Sequence, residues 1–121
     1  MKKILIAEDS STMRALLVAT IESLGGYLVT EAASGFEALR FLPREPLDLI
    51  ITDINMPDIN GLELVSFVRG SDIYRHIPIF IISTEGSERD REKGLALGAN
   101  EYLVKPFEPA RLQELILQYT A

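Results

Sequence analysis

The sequence predicts an α/β fold, with five parallel strands in one sheet and five helices packed on its two faces. Three observations predict it. Short apolar runs alternate strictly with segments of helical period, the pattern of a parallel sheet covered on both sides. The runs are continuous rather than alternately polar and apolar, as strands buried on both faces require. The 121 residues are enough for one domain that buries roughly two thirds of its unfolded surface.

The elements follow in order. Ile4-Leu5-Ile6-Ala7 is the first buried run. Ser10 and Ser11 stand as N-caps before Met13, Leu16, Leu17, Ile21 and Leu24, which recur at helical spacing until Gly25-Gly26 ends the helix. Residues 27–32 read as the second strand. Phe36, Leu39 and Leu42 mark a short helix that stops before Pro43, and Pro43-Arg44-Glu45-Pro46 is a surface connection. Residues 47–52, centred on Leu49-Ile50-Ile51, form the third strand. The turn-rich Met56-Pro57-Asp58-Ile59-Asn60-Gly61 leads into a helix with Leu62, Val65 and Val68 on one face. Residues 77–83 are the fourth and most apolar strand. Residues 85–97 form a highly charged helix that carries Gly94, and its weak apolar face predicts the least firmly packed of the five. Tyr102-Leu103-Val104 is the fifth strand. Pro109 fits the first turn of the last helix, whose apolar positions are Leu112, Leu115, Ile116 and Tyr119. The expectation is one domain over 1–121, with no output module after the last helix.

Composition excludes several classes. With 47% apolar residues the chain is globular rather than disordered. It has no cysteine, so disulfides, thiolate catalysis and zinc–thiolate sites are impossible. A net charge of −6 argues against direct nucleic-acid binding, which needs surplus Lys and Arg. The apolar run after Met1-Lys2-Lys3 ends at Glu8-Asp9, too short for a secretory signal, and no stretch reaches membrane-spanning length. A cytoplasmic monomer without a membrane partner is expected.

Polar residues fall where the strands end: Glu8-Asp9 after the first, Asp53 after the third, Ser83-Thr84 after the fourth, Lys105 after the fifth. In a parallel sheet these share the carboxyl edge, where open α/β folds bind ligands. A flavodoxin-like order of 2-1-3-4-5 brings Glu8, Asp9 and Asp53 into one crevice. Three carboxylates there repel one another and call for protonation or a cation. Hard oxygen donors favour Mg2+. A carboxylate beside Mg2+ and Lys105 is suited to attack a phosphoryl group and become an aspartyl phosphate. Singly, each residue has an ordinary reading. Glu8-Asp9 can be a solvated helix N-terminus and Asp53 a turn-former beside Asn55 and Pro57. Ser83 can be a cap, Lys105 a surface charge, and Tyr102 a core residue. His76 receives no role.

Taken together, Ile6-Ala7-Glu8-Asp9-Ser10, Asp53-Ile54-Asn55-Met56-Pro57 with Gly61, Ser83, Gly98-Ala99 and Lys105-Pro106-Phe107 resemble the receiver domains of two-component response regulators over essentially the whole chain. Asp9-Ser10-Ser11-Thr12-Met13-Arg14 and the run from Asn55 to Leu64 narrow the similarity to stand-alone, CheY-type chemotaxis regulators. The resemblance implies that Asp53 accepts a phosphoryl group from a histidine kinase, possibly CheA-like. It implies Mg2+ on Asp9, Asp53 and the Asn55 carbonyl, with Glu8 acting through a water. Lys105 would contact the phosphoryl oxygens, with a cis bond to Pro106. Ser83, chosen over Thr84 by counting back from Gly98-Ala99, would be the switch hydroxyl and Tyr102 the coupled aromatic that turns inward. They would reshape the face of the fourth helix, fifth strand and fifth helix for a target such as a flagellar motor switch protein. Asn55 and Glu85 would tune dephosphorylation. Glu8 departs from the commoner Asp, and Thr84 is larger than the usual residue there.

Three other functions compete. A phosphatase of the haloacid dehalogenase type would need an Asp two residues after the nucleophile, where Asn55 stands. A phosphorylation-independent adaptor would not need the full set of acids, hydroxyl and lysine. A flavin protein would need a phosphate-binding loop after the first strand, where acids stand instead.

Overall fold

The computed structural model describes residues 1–44 and 46–121, so Glu45 of the expected 43–46 connection lies outside the described residues. The elements alternate as β1 (Lys2–Ala7), α1 (Ser11–Glu22), β2 (Tyr27–Ala32), α2 (Gly35–Phe41), β3 (Leu49–Thr52), α3 (Gly61–Gly70), β4 (Ile79–Ser83), α4 (Glu88–Ala96), β5 (Glu101–Val104) and α5 (Pro109–Tyr119). All strand pairs are parallel, in the order β2-β1-β3-β4-β5. This is the doubly wound arrangement expected.

The central strands are buried on both faces, which is why their sequences are unbroken apolar runs. Leu5, Ala7, Ile50, Ile79 and Ile81 pack with Ala38 of α2 and with Leu64, Val65 and Val68 of α3. The alternate residues Ile4, Ile6, Leu49, Ile51, Phe80 and Ile82 pack with Leu17 and Ile21 of α1 and Leu112, Leu115 and Ile116 of α5. Each such Ile or Leu contributes roughly 1.5–3 kcal/mol on burial. The sheet is therefore the rigid base from which the loops at its carboxyl edge project.

Helix starts are set by side-chain caps. Ser10, Ser34 and Ser87 accept from the backbone N–H three residues on, and Asn60 with Glu63 completes a capping box on α3. After α1, Gly25 and Gly26 take φ of 71° and 83°, a conformation that favours glycine.

Several boundaries differ from the sequence reading. β3 starts at Leu49 rather than 47, and β4 at Ile79 rather than 77. Pro78 has no N–H for the ladder, and Ile77 instead donates to the Tyr74 carbonyl. α4 starts at Glu88 rather than 85, because Ser87 supplies its cap. Two residues placed on apolar helix faces are exposed: Leu16 at 46% and Phe36 at 59%. α1 instead turns Leu17, Thr20 and Ile21 inward. α2 is sited by Gly35, where a Cβ would come within 2.3 Å of the Ile59 carbonyl; that close approach leaves the next ring pointing out. The expectation for α4 holds, since Gly94 is its one buried residue, the fewest of any of the five helices.

Candidate functional site

The register brings the expected residues to one rim. Ala7 pairs with Thr52 across β1 and β3, and Ser83 with Val104 across β4 and β5. The chain therefore leaves β1, β3 and β5 into Glu8, Asp53 and Lys105 at a common edge. Backbone bonds continue the ladder past the strands: Glu8 donates to Ala32, Asp53 to Ala7 and Lys105 to Ser83, at 2.8–3.0 Å.

Lys105 reaches across the end of β4. Its Nζ lies 2.6 Å from Glu8 Oε1 and 3.1 Å from Asp53 Oδ2. Asp53 is 8% exposed and Glu8 only 2%, whereas Asp9 is exposed. The other oxygens are also engaged: Asp53 Oδ1 accepts from the Ile54 N–H and Glu8 Oε2 from the Ser10 N–H. One carboxylate oxygen from each of Glu8, Asp9 and Asp53 falls in a cluster whose members all lie within 4.8 Å of one another. A hard divalent cation fits this donor set, since carboxylates and water are what Mg2+ accepts.

The electrostatics agree. Burial pushes the Glu8 carboxyl above its usual range, and the negative charge of Asp53 adds to this; the bonds from Lys105 and Ser10 only partly offset it. Burial alone would lower the Lys105 amine, but its bonds to Glu8 and Asp53 outweigh that and raise it. The crevice thus holds a firmly protonated amine among more negative charge than it can balance.

The loop after Asp53 is folded tightly beneath the site. A Cβ on Gly61 would lie 1.9 Å from the Asp53 carbonyl oxygen, and the Gly61 N–H donates to Ile54. The loop is tied to α2 through Asp58, whose carboxylate accepts from the Gly35, Phe36 and Ile59 N–H groups. Desolvation works against that carboxylate, yet the hydrogen bonds outweigh it and lower the Asp58 pKa.

Next to the acids lies a second group. Ser83 is fully buried and Thr84 exposed. Ser83 Oγ accepts from the Glu85 N–H at 3.1 Å, while the Tyr102 hydroxyl donates to the Glu85 carbonyl. The Tyr102 ring is turned inward and buried, in space that exists because residue 94 is glycine: a Cβ there would sit 3.0 Å from the ring. Asn55 Nδ2 donates to Glu85 Oε1 at 3.1 Å, joining the loops after β3 and β4. The Lys105–Pro106 bond is cis, as expected. His76 is exposed in the connection before β4, at the opposite edge of the sheet. No role for Arg14 or Asp58 follows from the sequence; both act mainly through backbone groups, whose positions residue types do not record.

The sequence profile of the response regulator receiver domain matches residues 4–117. The chain belongs to that family. Among relatives of this receiver domain, a chemotaxis protein CheY homolog of Campylobacter jejuni is 44% identical over 93% of the chain and 87% of its own length. Chemotaxis protein CheY1 of Helicobacter pylori is 43% identical over 93% and 91%. The solved structure of chemotaxis response regulator CheY4 of Vibrio cholerae superposes with a TM-score of 0.89 at 38% identity, covering 98% of both chains. The receiver domain of the sensor histidine kinase PA1611 from Pseudomonas aeruginosa, solved with a magnesium ion coordinated in its active-site cleft, has a TM-score of 0.89 at 33% identity, covering 98% of this receiver domain and 97% of that chain.

Proposed function

We propose that this receiver domain is a phosphorylation-dependent switch in which Asp53 accepts a phosphoryl group from a phosphohistidine of a partner kinase. The observation that carries the reading is Lys105 bonded to both Glu8 and Asp53 at the rim where three carboxylates converge. An Asp53 carboxylate oxygen attacks phosphorus, an O–P bond forms, and the P–N bond breaks with its electron pair leaving on the imidazole. Lys105, already against Asp53, neutralises charge on the transferring group. Asp9, Asp53 and the Asn55 carbonyl would hold Mg2+, with Glu8 behind a water. When bound, Mg2+ supplies further charge neutralisation of the phosphoryl oxygens.

Ser83 and Tyr102 are the proposed readout. Ser83 turning toward a phosphoryl group on Asp53 would release the Glu85 N–H, and the same residue's carbonyl holds Tyr102. The face of α4, β5 and α5 would then bind the downstream target. The chemotaxis names of the relatives support a motility target such as a flagellar motor switch protein and a CheA-like kinase. Among the described residues no helix is long and apolar enough to cross a membrane, which accords with a cytoplasmic site of action. The pair of Asn55 and Glu85, at the mouth of the site, would set how fast the acyl phosphate hydrolyses.

The test is intact-mass measurement after incubation with acetyl phosphate and Mg2+. One phosphoryl adduct is expected on the wild type and none on Asp53→Asn. An adduct that persists in Asp53→Asn, or none on the wild type, overturns the assignment.

A further inference from the structure

We infer that Arg14 is a positioning residue for the acidic loop, holding Asp9 where it can complete the metal site. The inference rests on the phosphoacceptor reading above. Arg14 lies in the first turns of α1, and its Nη1 donates to two successive carbonyls, Glu8 at 2.8 Å and Asp9 at 3.3 Å. Its Nε faces Glu31 of β2 at 3.5 Å. One planar guanidinium thus bridges the loop's backbone, the helix that follows it and the neighbouring strand.

The need for such a clamp follows from how the two acids are held. The Glu8 side chain is fixed by Lys105 and Ser10. Asp9 is exposed, and its carboxylate has no hydrogen-bond partner among the described residues. The position of that carboxylate is therefore set through its backbone, whose carbonyl Arg14 holds.

Charge and position make opposite predictions, which renders the role testable. A cation beside a divalent-metal site weakens metal binding by repulsion, so removing Arg14 would tighten Mg2+ if charge were all that mattered. Groups that orient metal ligands typically contribute ten- to hundredfold in affinity, so removing a clamp loosens Mg2+.

Mg2+ affinity is measured by calorimetry on wild type, Arg14→Met and Arg14→Lys, with urea unfolding in EDTA as a control for folding. Arg14→Met is expected to bind Mg2+ about tenfold more weakly, and Arg14→Lys to recover part of the loss. With acetyl phosphate, the Mg2+ concentration giving half-maximal phosphorylation rises while the maximal rate at saturating Mg2+ returns to the wild-type value. Unchanged or tighter Mg2+ binding in Arg14→Met overturns the inference, as does a lowered maximal rate that saturating Mg2+ does not restore. A wild type that binds no Mg2+ would instead overturn the phosphoacceptor reading itself.

Discussion

Replacing Lys105 with methionine keeps most of the side chain's volume and removes its charge. The amine lies 2.6 Å from Glu8 and 3.1 Å from Asp53, with its own side chain 12% exposed. At an effective dielectric near 20, each contact represents about 5 kcal/mol of attraction before desolvation is subtracted. Removing one partner of such a buried pair typically costs about 3–5 kcal/mol, because the remaining charge is left uncompensated. The lower figure applies here, since Glu8 can escape by taking up a proton. For a domain of this size about 3 kcal/mol corresponds to a melting point roughly 10 °C lower. The loss should also depend on pH. Glu8 already sits above its ordinary value of 4.5, and losing Lys105 removes two influences that hold it down. An acid whose folded pKa exceeds its unfolded one costs stability above the folded pKa and recovers it as pH falls toward the unfolded value. Urea unfolding of wild type and Lys105→Met in EDTA between pH 8 and pH 5 should therefore show a deficit that is largest at the alkaline end and shrinks toward pH 5. Equal stability at pH 8, or a deficit independent of pH, would refute the pairing argument.

Three further outcomes are expected. Gly61→Ala must move either the Asp53 carbonyl or the helix, because the added carbon would lie 1.9 Å from that oxygen. Urea unfolding should show a loss of about 2 kcal/mol or more, with slower labelling by acetyl phosphate. Asp9→Asn removes one of three clustered carboxylates; in EDTA it should be more stable by about 0.5 kcal/mol, while calorimetry shows at least tenfold weaker Mg2+ binding. Asp58 has a lowered pKa, as the hydrogen bonds from Ile59, Phe36 and Gly35 outweigh desolvation. The stability it contributes is present above its ordinary 3.8 and is lost as pH falls through the lowered value. Asp58→Asn should flatten that part of the acid unfolding curve.

Much of this molecule could be read in advance because its central strands are buried on both faces. Ile4 to Ala7 and Leu49 to Ile51 admit no polar residue, and in β3 the first one, Thr52, is the last residue of the strand. The first polar residues therefore mark the carboxyl edge, and parallel topology alone brings Glu8, Asp53 and Lys105 together. Helix rotation was less legible. Leu16 and Phe36 have the right spacing for a core face, but Gly35 against Ile59 sets the pose of α2, and that contact joins distant parts of the chain. The strand expected over 77–83 starts later because apolar character does not distinguish Ile77, whose N–H bonds within a turn, from Ile79, which pairs with Ile50 across β3 and β4. Arg14 and Asp58 carry no role legible in the sequence because most of their partners are backbone atoms. A sequence records side-chain chemistry, and it is silent about which carbonyl or amide a long or bent side chain will reach.

Glu85 presents its N–H to Ser83, its carbonyl to the Tyr102 hydroxyl and its carboxylate to Asn55. A single residue therefore meets the strand end beside Asp53, the loop that follows Asp53 and the inward ring of β5. The segment that follows it, 86–93, is exposed or half-buried throughout, and the side chains that hold α4 to the sheet are Arg91, which donates to the Tyr102 carbonyl, and the half-buried Leu95. Displacing α4 sacrifices little buried apolar area, whereas displacing α1, α3 or α5 would expose three or more buried residues each. Local openings draw on the elements with least buried surface. A rearrangement begun at Ser83 would therefore meet its lowest resistance through Glu85 toward α4 and Tyr102, rather than back through the sheet.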